Sequence, residues 1–167
     1  MKQSILIIIK PDSIAKGLTG YILSKLEDLN MEILGAKVVC ASYDLAAAHY
    51  QHIAKKPFFQ QTIDYLMGKG YKQKNLLAFV CQGEEAIKKC RKIIGATNPE
   101  DAAAGTIRGS VGRITTKGGF ENVVHASSSA KEAKREIQLW FSPQEITTNL
   151  YPTKTLHSKN SKKKVWA

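Results

Sequence analysis

Acidic side chains are in short supply in this sequence: 14 Asp and Glu face 25 Lys and Arg, a formal charge of +11. That imbalance points to an anionic partner. Nearly half of it is local, because Tyr151 to Ala167 holds Lys154, Lys159, Lys162, Lys163 and Lys164 and no acid. Cysteine is scarce too. Cys40, Cys81 and Cys90 form no CxxC pair and fall inside apolar or helical patterns. This excludes a disulfide framework and a cysteine zinc site, and it fits a reducing, cytoplasmic setting. Long apolar runs are missing as well. The run Ile5 to Ile9 stops at Lys10-Pro11-Asp12, too short for a membrane span or a signal-peptide core. Neither export nor a membrane anchor is expected, and no internal repeat is visible.

What is present suits one globular domain: 167 residues, of which 43% are hydrophobic. Ser4 to Lys10 is a β-branched run that reads as a central strand buried on both faces. Leu18 to Asn30 spaces Ile22, Leu26 and Leu29 as an amphipathic helix, and Ile33 to Ala41 returns to strand. Asp44 is the expected N-cap of a helix through His52, and a short helix should run from Phe58 to Met67. Gly68 to Asn75 reads as a loop, Leu76 to Cys81 as a strand, and Glu84 to Ile94 as a helix ended by Gly95. Residues 96–121 carry five glycines and no period, so they read as a long functional loop. A strand at Asn122 to His125 and a helix from Ser129 follow. The order implies an α+β, ferredoxin-like sandwich with helices on one face of a four-stranded antiparallel sheet. From Tyr151 onward periodicity is lost, which reads as an arm or a disordered extension, so residues 1–150 form the expected domain and 151–167 a basic extension.

Several polar residues fall at strand ends or in glycine-rich turns: Lys10, Arg91, Thr97, Arg108, Asn122 and His125. Cationic donors with small hydrogen-bonding groups and no acidic cluster suit a phosphate chain. The segment GTIRG would let backbone approach a ligand closely. A histidine among those cations can serve as an anchor, a proton shuttle or a nucleophile; a neutral imidazole has a lone pair that makes attack on phosphorus feasible, and Glu136 on the following helix is the candidate to hold its other nitrogen. Taken singly, each residue has a plainer explanation: a structural histidine, a solvated arginine, a core Phe58-Phe59 pair. The set is what shifts the balance.

The ordered motifs KPD, HY, KPFF, ATNP, GTIRG, NVVHAS and EIQLWF make the chain resemble the nucleoside diphosphate kinases from about Ile5 to Ile146. The resemblance implies a ping-pong enzyme that moves a γ-phosphoryl group from a nucleoside triphosphate through a phosphohistidine to a diphosphate. It makes His125 the nucleophile, Glu136 the orienting carboxylate, Ser127 the hydroxyl bonded to that carboxylate, and Tyr50 the tyrosine beside the histidine. It gives Lys10, Arg91, Thr97 and Arg108 to the phosphates, Lys10 and Asn122 to the sugar hydroxyls, and Phe59 to the base by stacking. It also implies Mg²⁺ carried mainly by the nucleotide, with no protein metal ligand assigned, and a hexameric or tetrameric homo-oligomer.

The chain departs from the family pattern in reading HASSS rather than HGSDS, so Ala126 and Ser128 replace a glycine and an acid. The stretch between Arg108 and Asn122 and the 68–75 loop are both longer than in compact relatives, and no site residue is assigned within 111–119. The alternative reading is a basic ferredoxin-like module that binds nucleic acid. It explains the charge but not the histidine, and its central strands SILIIIK and NLLAFVC are aliphatic apart from Phe79. The lysine tail would add at most weak, salt-sensitive binding to nucleic acid.

Overall fold

A computed structural model describes residues 1–158 and 161–167. Its centre is β1 (Lys2–Ile9), flanked on one side by β3 (Asn75–Glu84) and on the other by β6 (Val124–Ala126). With β2 (Glu32–Cys40) beyond β3, the order is β2-β3-β1-β6, and every pair is antiparallel. This is the expected four-stranded sheet. Ile8 pairs with His125, so the register of the central strand fixes the height of the histidine.

The unbroken run in β1 has a direct cause. Successive strand residues point to opposite faces, and here both faces are covered. Ile5, Ile7 and Ile9 pack with α1 (Pro11–Ala15), α2 (Thr19–Glu27) and α5 (Ala86–Ile94). Leu6 and Ile8 pack on the other side with α3 (Tyr43–His49), α4 (Phe59–Leu66) and α7 (Ala130–Trp140). Helices on one face only is therefore corrected to helices on both.

Local chemistry moves several boundaries. Ser42, not Asp44, caps α3, since its hydroxyl accepts from the Leu45 N–H at 3.2 Å. The helix ends at His49, and Gln51–Ile53 continues as a 3-10 turn. Strand β3 runs on to Glu84, which delays α5 to Ala86. Gly95 ends α5 at φ +90°, where an added Cβ would lie 2.5 Å from the Thr106 hydroxyl.

Residues 96–121 are not a structureless loop. They hold a 3-10 turn at Pro99–Asp101, the short α6 (Ile107–Val111) capped by Thr106, and a hairpin of β4 (Arg113–Ile114) with β5 (Phe120–Glu121). Elements of two to five residues are too short to print a period in sequence.

Of the two readings of the tail, an arm or a disordered extension, the described residues take the form of an arm. Strands β7 (Thr153–Ser158) and β8 (Ser161–Trp166) form an antiparallel hairpin in which Thr153 pairs with Trp166. The indole N–H of Trp166 donates to the Phe141 carbonyl at 2.7 Å, its ring meets Tyr151 edge-on at 5.8 Å, and it packs against the α3/α4/α7 side of the core. Lys159 lies outside the described residues, and Lys162 and Lys163 are described in their backbone only. Among the described residues no helix is long and apolar enough to cross a membrane.

Replacing Trp166 by alanine should remove this anchor and cost about 1–3 kcal/mol, less than for a fully buried tryptophan. A fall in the urea midpoint at unchanged slope checks it; an unchanged midpoint would mean that the hairpin adds nothing to the fold.

Candidate active site

The site begins with a strained turn. Val123 is a buried, β-branched residue at φ +59°, and the Val124 N–H donates to the Asn122 carbonyl only two residues back, at 2.6 Å. Such a turn is rare and persists only where neighbours over-determine it. Here they do. The Lys10 N–H and the Ser13 hydroxyl both donate to the Val123 carbonyl, and the Tyr65 hydroxyl accepts from the Val123 N–H at 3.3 Å.

Arg108 adds the remaining ties. Its Nε donates to Asn122 O, one Nη to Gly95 O and Ala96 O, and the other Nη to Val124 O, at 2.7–3.2 Å. A guanidinium has five N–H groups, so four go to backbone carbonyls and one stays uncommitted. Burial pushes the Arg108 pKa down to about 10, which leaves it cationic at neutral pH.

The turn releases the chain into β6 with His125 facing a cavity of about 900 Å³. Nε2 of His125 lies 3.1 Å from Oε2 of Glu136, and the Ser127 hydroxyl donates to the same oxygen at 2.5 Å. Ser127 in turn accepts from the Leu6 N–H at 3.1 Å, which ties the pair to the central strand. Burial alone would raise the Glu136 pKa, but the bonds from His125 and Ser127 and the charge of Arg135 outweigh it and hold the carboxyl below its usual range. An ionised carboxylate can only accept. Nε2 must therefore carry the proton, and Nδ1 is left with its lone pair. Burial lowers the His125 pKa; Glu136 opposes that shift, while Lys10 and Arg108 reinforce it.

Sequence reasoning passed over His49. It is fully buried, its ring meets His125 edge-on at 4.5 Å, and its Nδ1 accepts from the Trp140 indole at 3.1 Å. Burial, followed by the cations around it, keeps its pKa well below the ordinary histidine range. His49, His125 and Glu136 bring metal-capable atoms within 4.8 Å of one another. The Trp140 bond opposes a metal there, because it requires the Nδ1 lone pair and so places the His49 proton on Nε2. The HY pair was the available signal, and it drew attention only to Tyr50.

Most of the expected residues share the cavity: Lys10, Tyr50, Arg91, Thr97, Arg108, Asn122, His125 and Glu136 all line it, and Ser127 sits behind. Lys10 donates to the Asn122 side-chain carbonyl at 2.6 Å, and the Asn122 amide donates to Thr97 O at 2.9 Å. Burial, with Arg108 adding to it and Asp12 opposing, brings the Lys10 pKa down to about 7. Tyr50 meets His49 edge-on at 4.6 Å, and burial raises its phenol pKa, so it stays protonated.

Phe59 is the exception. It packs against the core beside Ile63 and Leu66 and is absent from the cavity wall, whereas Phe58 is 48% exposed and lines it. In a KPFF motif the two rings are indistinguishable by composition. Phe59 opens α4 and turns inward with the helix's apolar face, which leaves Phe58 outside.

Comparison with known proteins agrees with this geometry. The family model described as "Nucleoside diphosphate kinase" matches residues 3–146, ending before the β7–β8 hairpin. A nucleoside diphosphate kinase of Pyrococcus horikoshii is 41% identical over 141 residues, 84% of this chain and 86% of its own length. One of Caldanaerobacter subterraneus is 46% identical over 136 residues, 81% and 91% of the two chains. Among solved structures, the Borrelia burgdorferi kinase with ADP and vanadate, described as a transition state mimic, superposes with a TM-score of 0.78 at 31% identity, covering 89% of this chain and 92% of that one. A halophilic kinase of Halobacterium salinarum in complex with CDP gives 0.76 at 31%, covering 87% and 91%. Nothing in these relatives favours a nucleic-acid-binding module. The chain belongs to the nucleoside diphosphate kinase family, phosphotransferases that move a phosphoryl group between nucleotides.

Proposed function

We propose that His125 is the phosphoryl carrier of a ping-pong relay between a nucleoside triphosphate and a nucleoside diphosphate. The observation that carries this reading is the Ser127–Glu136–His125 chain, which leaves Nδ1 bare toward a cavity lined with cations. The Nδ1 lone pair forms the N–P bond while the bond from phosphorus to the β,γ-bridging oxygen breaks. No proton has to move, because Nδ1 starts without one. The positive charge that develops on the ring is shared with Glu136 through Nε2–H. Charge on the leaving diphosphate meets Lys10, Arg91 and the one uncommitted N–H of Arg108, with Thr97 beside them. Transfer to the second diphosphate is the same step reversed.

Lys10 and Asn122 are assigned to the sugar hydroxyls as well as to the phosphate end, and Tyr50 to the wall that packs on His49. Phe58 replaces Phe59 as the stacking residue, and because every base has a π-face, all bases are accepted. Mg²⁺ suits this cavity only as the partner of nucleotide phosphates. It favours near-ideal octahedral oxygen coordination, and near α7 the wall offers Ser128 and Glu132, the latter already paired with Arg135 at 2.9 Å. When bound, the ion would neutralise phosphate charge. Assembly into a hexamer or tetramer is proposed on the open edge of β2, where Ile33 and Val38 are 58% and 63% exposed. Cytoplasmic residence is proposed on three free cysteines, two of them buried. Residues 1–150 are assigned as the catalytic unit, with the basic hairpin as an addition to it.

Incubation with γ-labelled ATP should leave acid-labile, base-stable label on the protein, and His125→Ala should abolish it; persistent label in that variant would remove the assignment. Phe58→Ala should weaken nucleotide binding by about 1–3 kcal/mol, whereas Phe59→Ala should lower the denaturation midpoint instead. The reverse result would restore Phe59 to the base.

Lys10 gives a signed pH effect. Its pKa of about 7 in the free protein means that at pH 8 it is mostly uncharged, and bound phosphates favour its charged form. Nucleotide binding should therefore take up a proton at pH 8, and Lys10 should contribute little to uptake at pH 6. Calorimetry in two buffers of different ionisation enthalpy reads this directly; no difference between the pH values would contradict it.

A further inference from the structure

The β4–β5 hairpin, which sequence left without a role, forms part of the cavity wall through Thr115, Gly118, Gly119, Phe120 and Glu121. Phe120 is 39% exposed, and it and Phe58 are the two exposed phenylalanines among the described residues. Both line the same cavity. An exposed ring has a hydrophobic cost that a flat apolar ligand would relieve.

Two contacts show where Phe120 stands. Gly119 lies against α4, where an added Cβ would stand 2.6 Å from Nε2 at the flexible end of Gln61, so the hairpin and the helix are in close contact. Gln61 and Thr62 lie one helical turn past Phe58, and the Thr62 hydroxyl donates to the Phe58 carbonyl at 3.0 Å. The hairpin is thus seated on the helix face that starts with Phe58.

The second contact is a buried clasp. Glu121 accepts from Lys16 Nζ, Arg113 Nε and the Tyr71 hydroxyl, each at 2.5 Å. Burial pushes its pKa up, yet the three donors prevail and hold it at about 2. Tyr71 belongs to the 68–75 loop and Arg113 to the hairpin, so one carboxylate locks together both segments that are long in this chain. Glu121 also precedes Asn122, the partner of Lys10.

We propose that Phe120 is a substrate-positioning residue that forms the second wall of the nucleobase slot, so that the base is held between two aromatic rings. This rests on the reading of Phe58 as the first wall. A ring carried on a clamped hairpin is ordered before the nucleotide arrives, so less freedom is lost on binding. The gain is larger for purines, whose fused rings overlap more of each phenyl face.

The test is a fluorescence titration of the full chain with 1,N6-etheno-ADP, whose emission is quenched by stacking. Phe120→Ala should weaken binding about tenfold and reduce the quench at saturation. Phe120→Leu keeps the bulk without the ring and should fall between. Competition by GDP and CDP should show a purine advantage in the wild type that narrows in Phe120→Ala. If Phe58→Ala weakens binding while both Phe120 variants behave as wild type, the second wall is overturned and the first stands. If none of the three variants weakens binding, the base slot itself is misplaced. Weaker binding of Phe120→Ala with an undiminished quench would also overturn stacking on Phe120. Melting temperatures within a few degrees of wild type separate these outcomes from misfolding.

Discussion

A buried carboxylate decides which nitrogen of His125 meets the cavity. Glu136 is almost fully enclosed, and a charge in that position is tolerated only when it is well paired. The Ser127 hydroxyl and the His125 N–H supply the pairing, with Arg135 at 3.9 Å. The benefit is mutual: the carboxylate keeps its charge, and the imidazole loses any choice of tautomer. Ser127 is itself held by the backbone of Leu6, so the orientation of a ring in the cavity wall is set from the central strand. His49 braces the ring from a third side while remaining uncharged.

The same economy appears at Arg108. Phosphate binding was the evident expectation for an arginine in a glycine-rich segment, yet four of its five N–H groups hold carbonyls of the strained turn and of the segment after α5. Its positive charge still faces the cavity. One guanidinium therefore stabilises a backbone that would otherwise relax and keeps one N–H uncommitted beside the cavity. That arrangement explains why a β-branched Val123 is tolerated at positive φ: the turn is tied by Lys10, Ser13, Tyr65 and Arg108 together.

Much of this was legible in the sequence where a signal repeats. The apolar run of β1 announced a strand with two buried faces, and the spacing in α2, α5 and α7 announced their helices. The residues that line the cavity were legible because their motifs are short, ordered and mutually reinforcing. What stayed hidden had no period to display: the five-residue α6, the two-residue strands of the 113–121 hairpin, and a tail whose order comes from Trp166 packing against Phe141 and Tyr151. Phe58 rather than Phe59 reaches the cavity wall because adjacent aromatics differ only in which one the helix turns inward, a difference composition does not carry. His49 was missed because its role lies in a ring contact, which sequence does not carry.

The state of one imidazole bears most directly on the proposed relay. Long-range proton–nitrogen NMR of nitrogen-15-labelled protein reports which ring nitrogen of His125 is protonated at neutral pH. We expect a protonated Nε2 and a bare Nδ1, with Glu136→Gln shifting that pattern. A protonated Nδ1, or an imidazolium at pH 7, would leave no lone pair for phosphorus and would contradict His125 as the nucleophile.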